Sequence, residues 1–352
     1  MYIVVSIIAF GLLIVVHELG HFAVAKLLGV RVNEFAIGMG PKLLKKQGKE
    51  TLYSIRAFPL GGFCALEGEN GDSEDSRAFA AQKRWRRILI LAAGAAANVL
   101  AGFIIVVIIY AGATEIPAKP TITYLVDGFP YGGEQGLMVG DTILSINGEH
   151  IYYIDDFRLF MELSKDGKVD IIIRRDGEKV KLNGFLLKRH KYVIDGEESI
   201  RYGITFTPVE ANASERFQYS CYTTINNIRI VRVSLAMLFK GDVGLTDMSG
   251  FPGIVNAMND IGQSSPSISV GLKNIANFTA LISVNLAIMN LLPIPALDGG
   301  RILFIIINYA VEKVSRRRIN PKYEGYIHTT AMVLLMCLMA FTFVNDIIKI
   351  IK

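Results

Sequence analysis

His17, Glu18 and His21 form an H-E-x-x-H pattern inside an apolar run, Ile3 to Leu28, that is long enough to cross a bilayer. On a helix, His17 and His21 stand one turn apart on the same face, so both imidazoles can reach a single metal. Glu18 projects about 100° round the helix, where it can meet a water at that metal. The chemistry implied is zinc-assisted hydrolysis with a carboxylate as general base. Ionisable side chains cost about 2.5 to 3.5 kcal/mol or more each at the centre of a spanning helix, so these three need a partner or a function. The other reading is a polar contact between helices, or a helix in a soluble core.

Two histidines leave a catalytic zinc one protein ligand short. The extended soluble pattern with a third histidine fails, because Val24 and Leu27 occupy its glycine and histidine positions. Glu34 and Glu50 are acids in the loop that follows. Asp298, in NLAIMNLLPIPALDGGR, is embedded at the end of an apolar span. The break at Pro293 and Pro295 frees the backbone there and can swing the carboxylate inward. The alternative for Asp298 is a helix cap at the interface.

These residues must be positioned by a membrane framework. The chain has 352 residues, 51% of them hydrophobic, with a mean hydropathy of +0.39, and its apolar residues are gathered in blocks. Four apolar spans are expected, at about 3–28, 88–113, 274–296 and 327–348. The first lacks a basic leader and a cleavage site and carries the motif itself, so it reads as a retained helix. Lysines and arginines crowd the connections between spans one and two (Lys26 to Arg87) and between spans three and four (Arg301 to Lys322, including Arg317 and Arg318). Both connections are then cytoplasmic, and the acid-rich stretch 114–272, with Asp195 among its acids, lies outside together with both termini. Cys64, Cys221 and Cys337 are isolated, so neither a disulfide framework nor a cysteine zinc site follows. The net charge of +5 is modest, and nucleic acid is not expected as a partner.

Between the first two spans, alternation in Glu34 to Ile37 and Thr51 to Ile55 predicts strands joined by the basic loop Lys45 to Lys49, which could dock an extended peptide by edge addition. Glu67 to Arg77 is polar and reads as a loop. The second span opens on small residues, LAAGAAANVLAG, that allow close helix approach, with Asn98 four residues after Gly94 as an interhelical hydrogen-bonding group or a contact to substrate or site. Residues 118–186 alternate strands and turns, with turns at Asn147-Gly148 and Asp176-Gly177 and a helix over 156–163. His150, His190 and His328 read as surface or interfacial residues.

The stretch Gly136, Leu137, Gly140, Asp141, Ile143, Ile146, Asn147 and Gly148 resembles the G-L-x-x-G-D-x-I-x-x-I-N-G signature of bacterial protease-associated PDZ domains. With HELGH in the first span, Gly94-x-x-x-Asn98 in the second and Asn290-x-x-Pro-x-Pro-x-Leu-Asp-Gly-Gly in the third, the chain resembles the site-two protease family of intramembrane zinc metalloproteases, closest to its bacterial RseP and RasP type with a single PDZ domain. The resemblance implies Zn2+ held by His17, His21 and Asp298, Glu18 as general base, and Asn285 and Asn290 near the scissile peptide. Asn98 is taken as a further substrate contact. It also implies that residues 31–66 are a membrane-re-entrant β-hairpin that holds the substrate as an added strand.

The fold expected is thus an α-helical membrane protein of about four transmembrane helices with a re-entrant β-hairpin and an inserted extracytoplasmic PDZ domain. Its divisions are 1–113 and 273–352 for the two halves of the protease core, 118–208 for the PDZ domain and following strand, and 209–272 for a linker and amphipathic segment. The resemblance implies single-span membrane protein substrates already shortened by an upstream site-1 protease, such as anti-sigma factors or signal-peptide remnants, cut within the lipid bilayer of a bacterial cell membrane. Two departures stand out: Ala95 follows Gly94 where relatives read Gly-Pro, and a G-P-x-G-I element appears as Gly250-Phe251-Pro252-Gly253-Ile254, one residue longer. A non-catalytic scaffold or chaperone working through the PDZ domain is the rival reading, and Glu18 argues against it because a structural metal site has no need of that residue. A transporter is a second rival, which the large insert and the absence of a repeat disfavour.

Overall fold

A computed structural model describes residues 1–69, 73–164, 166–194, 197–244, 247–316 and 321–351. Arg317 and Arg318 of the basic connection, Asp195 of the acid-rich stretch and residues 70–72 of the polar loop lie outside the described residues. The chain opens with α1 (Tyr2–Leu27), β1 (Val32–Gln47), β2 (Leu52–Leu66) and α2 (Arg84–Ala111). Next come β3 (Glu115–Ile116), β4 (Tyr124–Leu125), β5 (Thr142–Ile146), β6 (Glu149–His150), α3 (Ile154–Leu163), β7 (Lys168–Arg175) and β8 (Glu178–Leu186). They are followed by β9 (His190–Ile194), β10 (Glu197–Arg201), β11 (Ile204–Thr205) and β12 (Val209–Glu210). The rest is helical: α4 (Ala213–Lys240), α5 (Phe251–Gln263), α6 (Ile268–Leu291), α7 (Asp298–Ser315) and α8 (Pro321–Ile351). Two compact units result, one of residues 1–109 with 220–352 and one of residues 110–219.

In the first unit α1, α2, α6 and α8 are long and apolar enough to cross a membrane. Their outward residues, such as Ile8 and Leu12 of α1, Leu100 and Ile108 of α2 and Leu334 and Met339 of α8, are exposed, as a lipid-facing surface requires. Small residues bring the backbones together. A Cβ on Gly20 would lie 2.4 Å from the Ala93 carbonyl oxygen, and one on Gly102 would lie 3.1 Å from that of Ala280. α2 runs unbroken through Gly94 and Ala95.

α6 stops at Leu291, several residues short of the span end expected at 296, because Pro293 and Pro295 cannot continue it. The segment after Asp298, expected as a basic connection, instead forms the amphipathic helix α7. Within the expected linker, α5 starts at the Gly250-Phe251-Pro252-Gly253 element. Its first amides from Gly250 and Gly253 donate to the buried Asp346 carboxylate of α8 at 2.8 and 2.9 Å, an anion at a helix N-terminus.

β1 and β2 pair antiparallel and pack on α1. Both run longer than the short strands expected, and the turn is at Gly48 to Thr51 rather than at Lys45 to Lys49, closed by the Gly48 amide on the Thr51 carbonyl at 2.9 Å. The register sets Glu34 to Ile37 opposite two segments of β2, Leu52 to Ile55 and Gly62 to Ala65, and sets Leu44 to Gln47 against Leu52 to Ile55. Gly62 to Ala65 therefore has a ladder partner on one side only among the described residues. The distal part exposes Met39, Leu43, Leu44 and Phe58, each more than half accessible.

The second unit carries a four-stranded sheet ordered β6-β5-β7-β8 with the short pairs β4-β11, β3-β12 and β9-β10. Its two tight hairpins turn where expected: Asn147 and Gly148 at φ 49° and 82°, Asp176 and Gly177 at φ 51° and 88°, the positive pairs a type I′ turn needs. His190, expected at the surface, is half-buried and hydrogen-bonded to the Tyr131 hydroxyl at 2.7 Å. Asp141 is 1% exposed. Arg175 donates to both its carboxylate oxygens at 2.8 and 2.7 Å and also to the carbonyls of Glu134 and Gly136. Removing one partner leaves the other charge buried and unpaired, so Arg175→Leu should destabilise this unit by about 3 kcal/mol or more. Limited proteolysis of the full-length protein checks this, with cleavage within 110–219 rising sharply in the variant.

Candidate metal centre

The α1 helix delivers His17 and His21 to one face, and each is 8% exposed. The Nε2 atoms of the two rings lie 3.1 Å apart, and Asp298 Oδ2 lies 3.2 Å from each of them. These ligand atoms come from residues 281 positions apart in the chain. A tetrahedral zinc with bonds of about 2.0 to 2.2 Å to nitrogen and oxygen sets its ligand atoms about 3.3 to 3.6 Å from one another, and the observed separations of 3.1 to 3.2 Å need to open by only a few tenths of an ångström to admit that ion. The donor set of two imidazoles and one carboxylate also matches, leaving a fourth position for water or substrate, as a catalytic zinc site does.

The surrounding atoms fix which nitrogen of each ring faces inward. His21 Nδ1 donates to the Ile90 carbonyl of α2 at 2.8 Å, so its Nε2 lone pair is the one aimed at the site. His17 Nδ1 meets the side-chain amide of Asn98 at 3.4 Å, while the Asn98 Oδ1 atom is buried without a partner. Turning the amide over puts that oxygen on the His17 Nδ1–H and gives His17 the same tautomer as His21. Asn98 is 1% exposed, and its carbonyl accepts from Ser283 Oγ at 2.7 Å. Asn98 thus stands behind His17, on the small-residue face of α2 that lies against α1.

Gly94 explains that close packing. A Cβ there would lie 2.5 Å from His21 Nε2 and 2.7 and 2.8 Å from His17 Cε1 and Nε2. On the other side β2 closes in, with a Cβ on Gly62 standing 3.5 Å from Glu18 Cγ. Glu18 is half-buried and lies outside the ligand triangle.

Asp298 is the first residue of α7, and its carboxylate oxygen lies within hydrogen-bond distance of both histidines. The other two acids considered for the third ligand are engaged elsewhere. Glu34 accepts from Ser54, Arg56 and Lys42. Glu50 accepts from Lys26 and Arg77. Asn285 and Asn290 are half-buried on α6; five residues apart, they point about 140° away from each other on the helix, so they do not present one common face.

One neighbour of the site carries no signal in the sequence. His328 of α8 accepts the Ala296 amide at Nδ1, 2.8 Å away, two residues before Asp298. No pattern linking positions 32 residues apart on different elements announces such a bond.

Comparison with known proteins follows the same lines. Peptidase family M50 matches residues 5–338. A Clostridium acetobutylicum protein named as a candidate zinc metalloprotease is 35% identical over 348 residues, covering 98% of this chain and 97% of the relative. A Fusobacterium nucleatum protein of like name is 32% identical over 354 residues, 98% of each chain. The regulator of sigma-W protease RasP of Bacillus subtilis is 27% identical over 429 residues, again 98% of each chain.

Proposed function

The chain belongs to peptidase family M50, and from that premise we propose how this membrane zinc metalloprotease divides its work and what it cuts. His17, His21 and Asp298 hold the zinc and Glu18 is the general base. The observation that carries this is the convergence of three ligand atoms from α1 and α7 at 3.1 to 3.2 Å. Zinc, when bound, supplies the Lewis acidity that activates a water and polarises a peptide carbonyl. Glu18 takes a proton from the attacking water and returns it to the leaving amine. Asn98 and the Ile90 carbonyl hold the two imidazoles in the ligating tautomer.

A substrate helix hides its carbonyls in its own hydrogen bonds and must unwind before attack. Unpaired backbone is costly at membrane depth, and the one-sided strand Gly62 to Ala65, beside Glu18, offers replacement partners by edge addition. Residues 31–66 then act as a re-entrant hairpin, a reading supported by the exposed Met39, Leu43, Leu44 and Phe58. Asn285 and Asn290 line the path of the scissile segment from different faces of α6.

Residues 118–208 are read as a single PDZ domain, on the Gly136 to Gly148 signature and the paired tight turns of this unit. It lies outside the cell membrane with both termini and excludes substrates with bulky external domains. Residues 1–113 and 273–352 form the protease core, joined to the PDZ domain through 209–272. Substrates are single-span membrane proteins first trimmed by a site-1 protease. The sigma regulation in the name of the Bacillus subtilis relative favours anti-sigma factors among them, with signal-peptide remnants as a second class.

The test is cleavage of a trimmed single-span reporter by protein purified in detergent, with zinc content measured in parallel. Asp298→Asn should reduce zinc retention about tenfold or more against a chelator and abolish cleavage, while Glu34→Gln keeps its zinc. Unchanged zinc in Asp298→Asn would overturn the ligand set.

A further inference from the structure

Between α6 and α7 the chain makes a strap, Leu292 to Leu297, that ends at Asp298. Its internal hydrogen bonds are short-range: the Ile294 amide to the Leu292 carbonyl at 2.7 Å and the Leu297 amide to the Ile294 carbonyl at 3.1 Å. The first turn of α7 is pressed beneath it, with Cβ positions on Gly299 and Gly300 falling 2.3 Å from the Leu291 and Leu292 carbonyl oxygens and 2.2 Å from that of Ile294. Ala296 has φ 77°, a left-handed conformation that a residue with a Cβ rarely adopts and that surrounding contacts must hold in place. Among the described residues, the strap makes one hydrogen bond to a helix other than its flanking α6 and α7, from the Ala296 amide to His328 Nδ1 at 2.8 Å. The His328 ring also lies against Phe304 of α7, with centroids 5.1 Å apart.

We propose that His328 is a positioning residue for the metal centre, holding Ala296 in its left-handed turn so that the Asp298 carboxylate stays within reach of His17 and His21. A lone hydrogen bond at a strained residue two positions from a ligand controls where that ligand points. The acceptor must stand at the Nδ1 position, since the Ala296 amide has no other partner there. α8 thereby reaches the metal without touching it. The inference rests on Asp298 being a zinc ligand, as proposed above.

The decisive pair is His328→Asn against His328→Gln in the full-length protein. Asparagine carries its acceptor oxygen where Nδ1 stands, whereas glutamine carries it one bond farther, to the Nε2 position. Zinc affinity by chelator competition and the visible spectrum of the cobalt-substituted protein are read for both, with Asp298→Asn alongside. His328→Asn should stay within about threefold of the parent affinity, and His328→Gln should lose about tenfold or more and shift the cobalt bands. Equal, parent-like affinity and spectra in both variants would overturn the proposal, as would an equal loss in both. If Asp298→Asn weakens zinc while His328→Gln does not, only the role of His328 falls; if Asp298→Asn changes nothing, the ligand assignment falls and the proposal with it.

Discussion

Glu18→Gln is expected to keep its zinc and to lose reporter cleavage by about 10²- to 10⁴-fold, the range for removing a general base. Glutamine has nearly the same shape and reaches the same place, but its amide cannot take a proton from water. The ligand triangle of His17, His21 and Asp298 does not include Glu18, so metal retention should match the parent protein. The position of Glu18 suits a general base, since it is half-buried and Gly62 approaches it from the one-sided strand of the hairpin. A substrate strand added at Gly62 to Ala65 would thus bring its backbone beside the base and the metal ligands together. Single-turnover cleavage of the reporter with zinc measured on the same sample is the check. Cleavage within tenfold of the parent at full zinc would remove Glu18 from the proton path.

The part of the centre that depends on local chemistry was legible in the sequence. H-E-x-x-H on a helix can be read because residues four apart share a face, and the four apolar blocks announce spans by length alone. The turns at Asn147-Gly148 and Asp176-Gly177 are likewise set by two-residue chemistry. Asp298 was visible as an acid out of place beside two prolines, with a capping role as the alternative, and only the three-dimensional structure brings it within 3.2 Å of both histidines. What sequence could not show were relations between elements. Asn98 is polar on a small-residue face, but nothing local says that the face meets His17. α7 was hidden because its charged and apolar residues resemble an interfacial connection as much as an amphipathic helix. The one-sided strand at Gly62 depends on a register that alternation does not fix, and the acceptor on His328 depends on the packing of α8.

Gly94→Ala should remove most zinc binding and nearly all cleavage, although it adds a single methyl group to a helix that alanine otherwise favours. The methyl would stand 2.5 to 2.8 Å from three imidazole atoms, closer than non-bonded carbon and nitrogen allow. Relief must come from one of two movements. If the rings turn, His21 gives up its bond to the Ile90 carbonyl and His17 its contact with Asn98, and losing such supports costs about 10- to 100-fold in metal affinity. If α1 and α2 part instead, the tight contact at Gly20 and Ala93 opens and Asp298 no longer reaches both rings; a misplacement of about 1 Å costs about 10²-fold in rate. Gly112→Ala is the control, because nothing lies within 4 Å of a Cβ at that position. Chelator competition, cobalt spectra and reporter cleavage should therefore leave Gly112→Ala unchanged and Gly94→Ala depleted in all three. A Gly94→Ala protein with parent-like zinc affinity would mean that α2 does not press on the histidines, and the close approach that sets their tautomers would have to be abandoned.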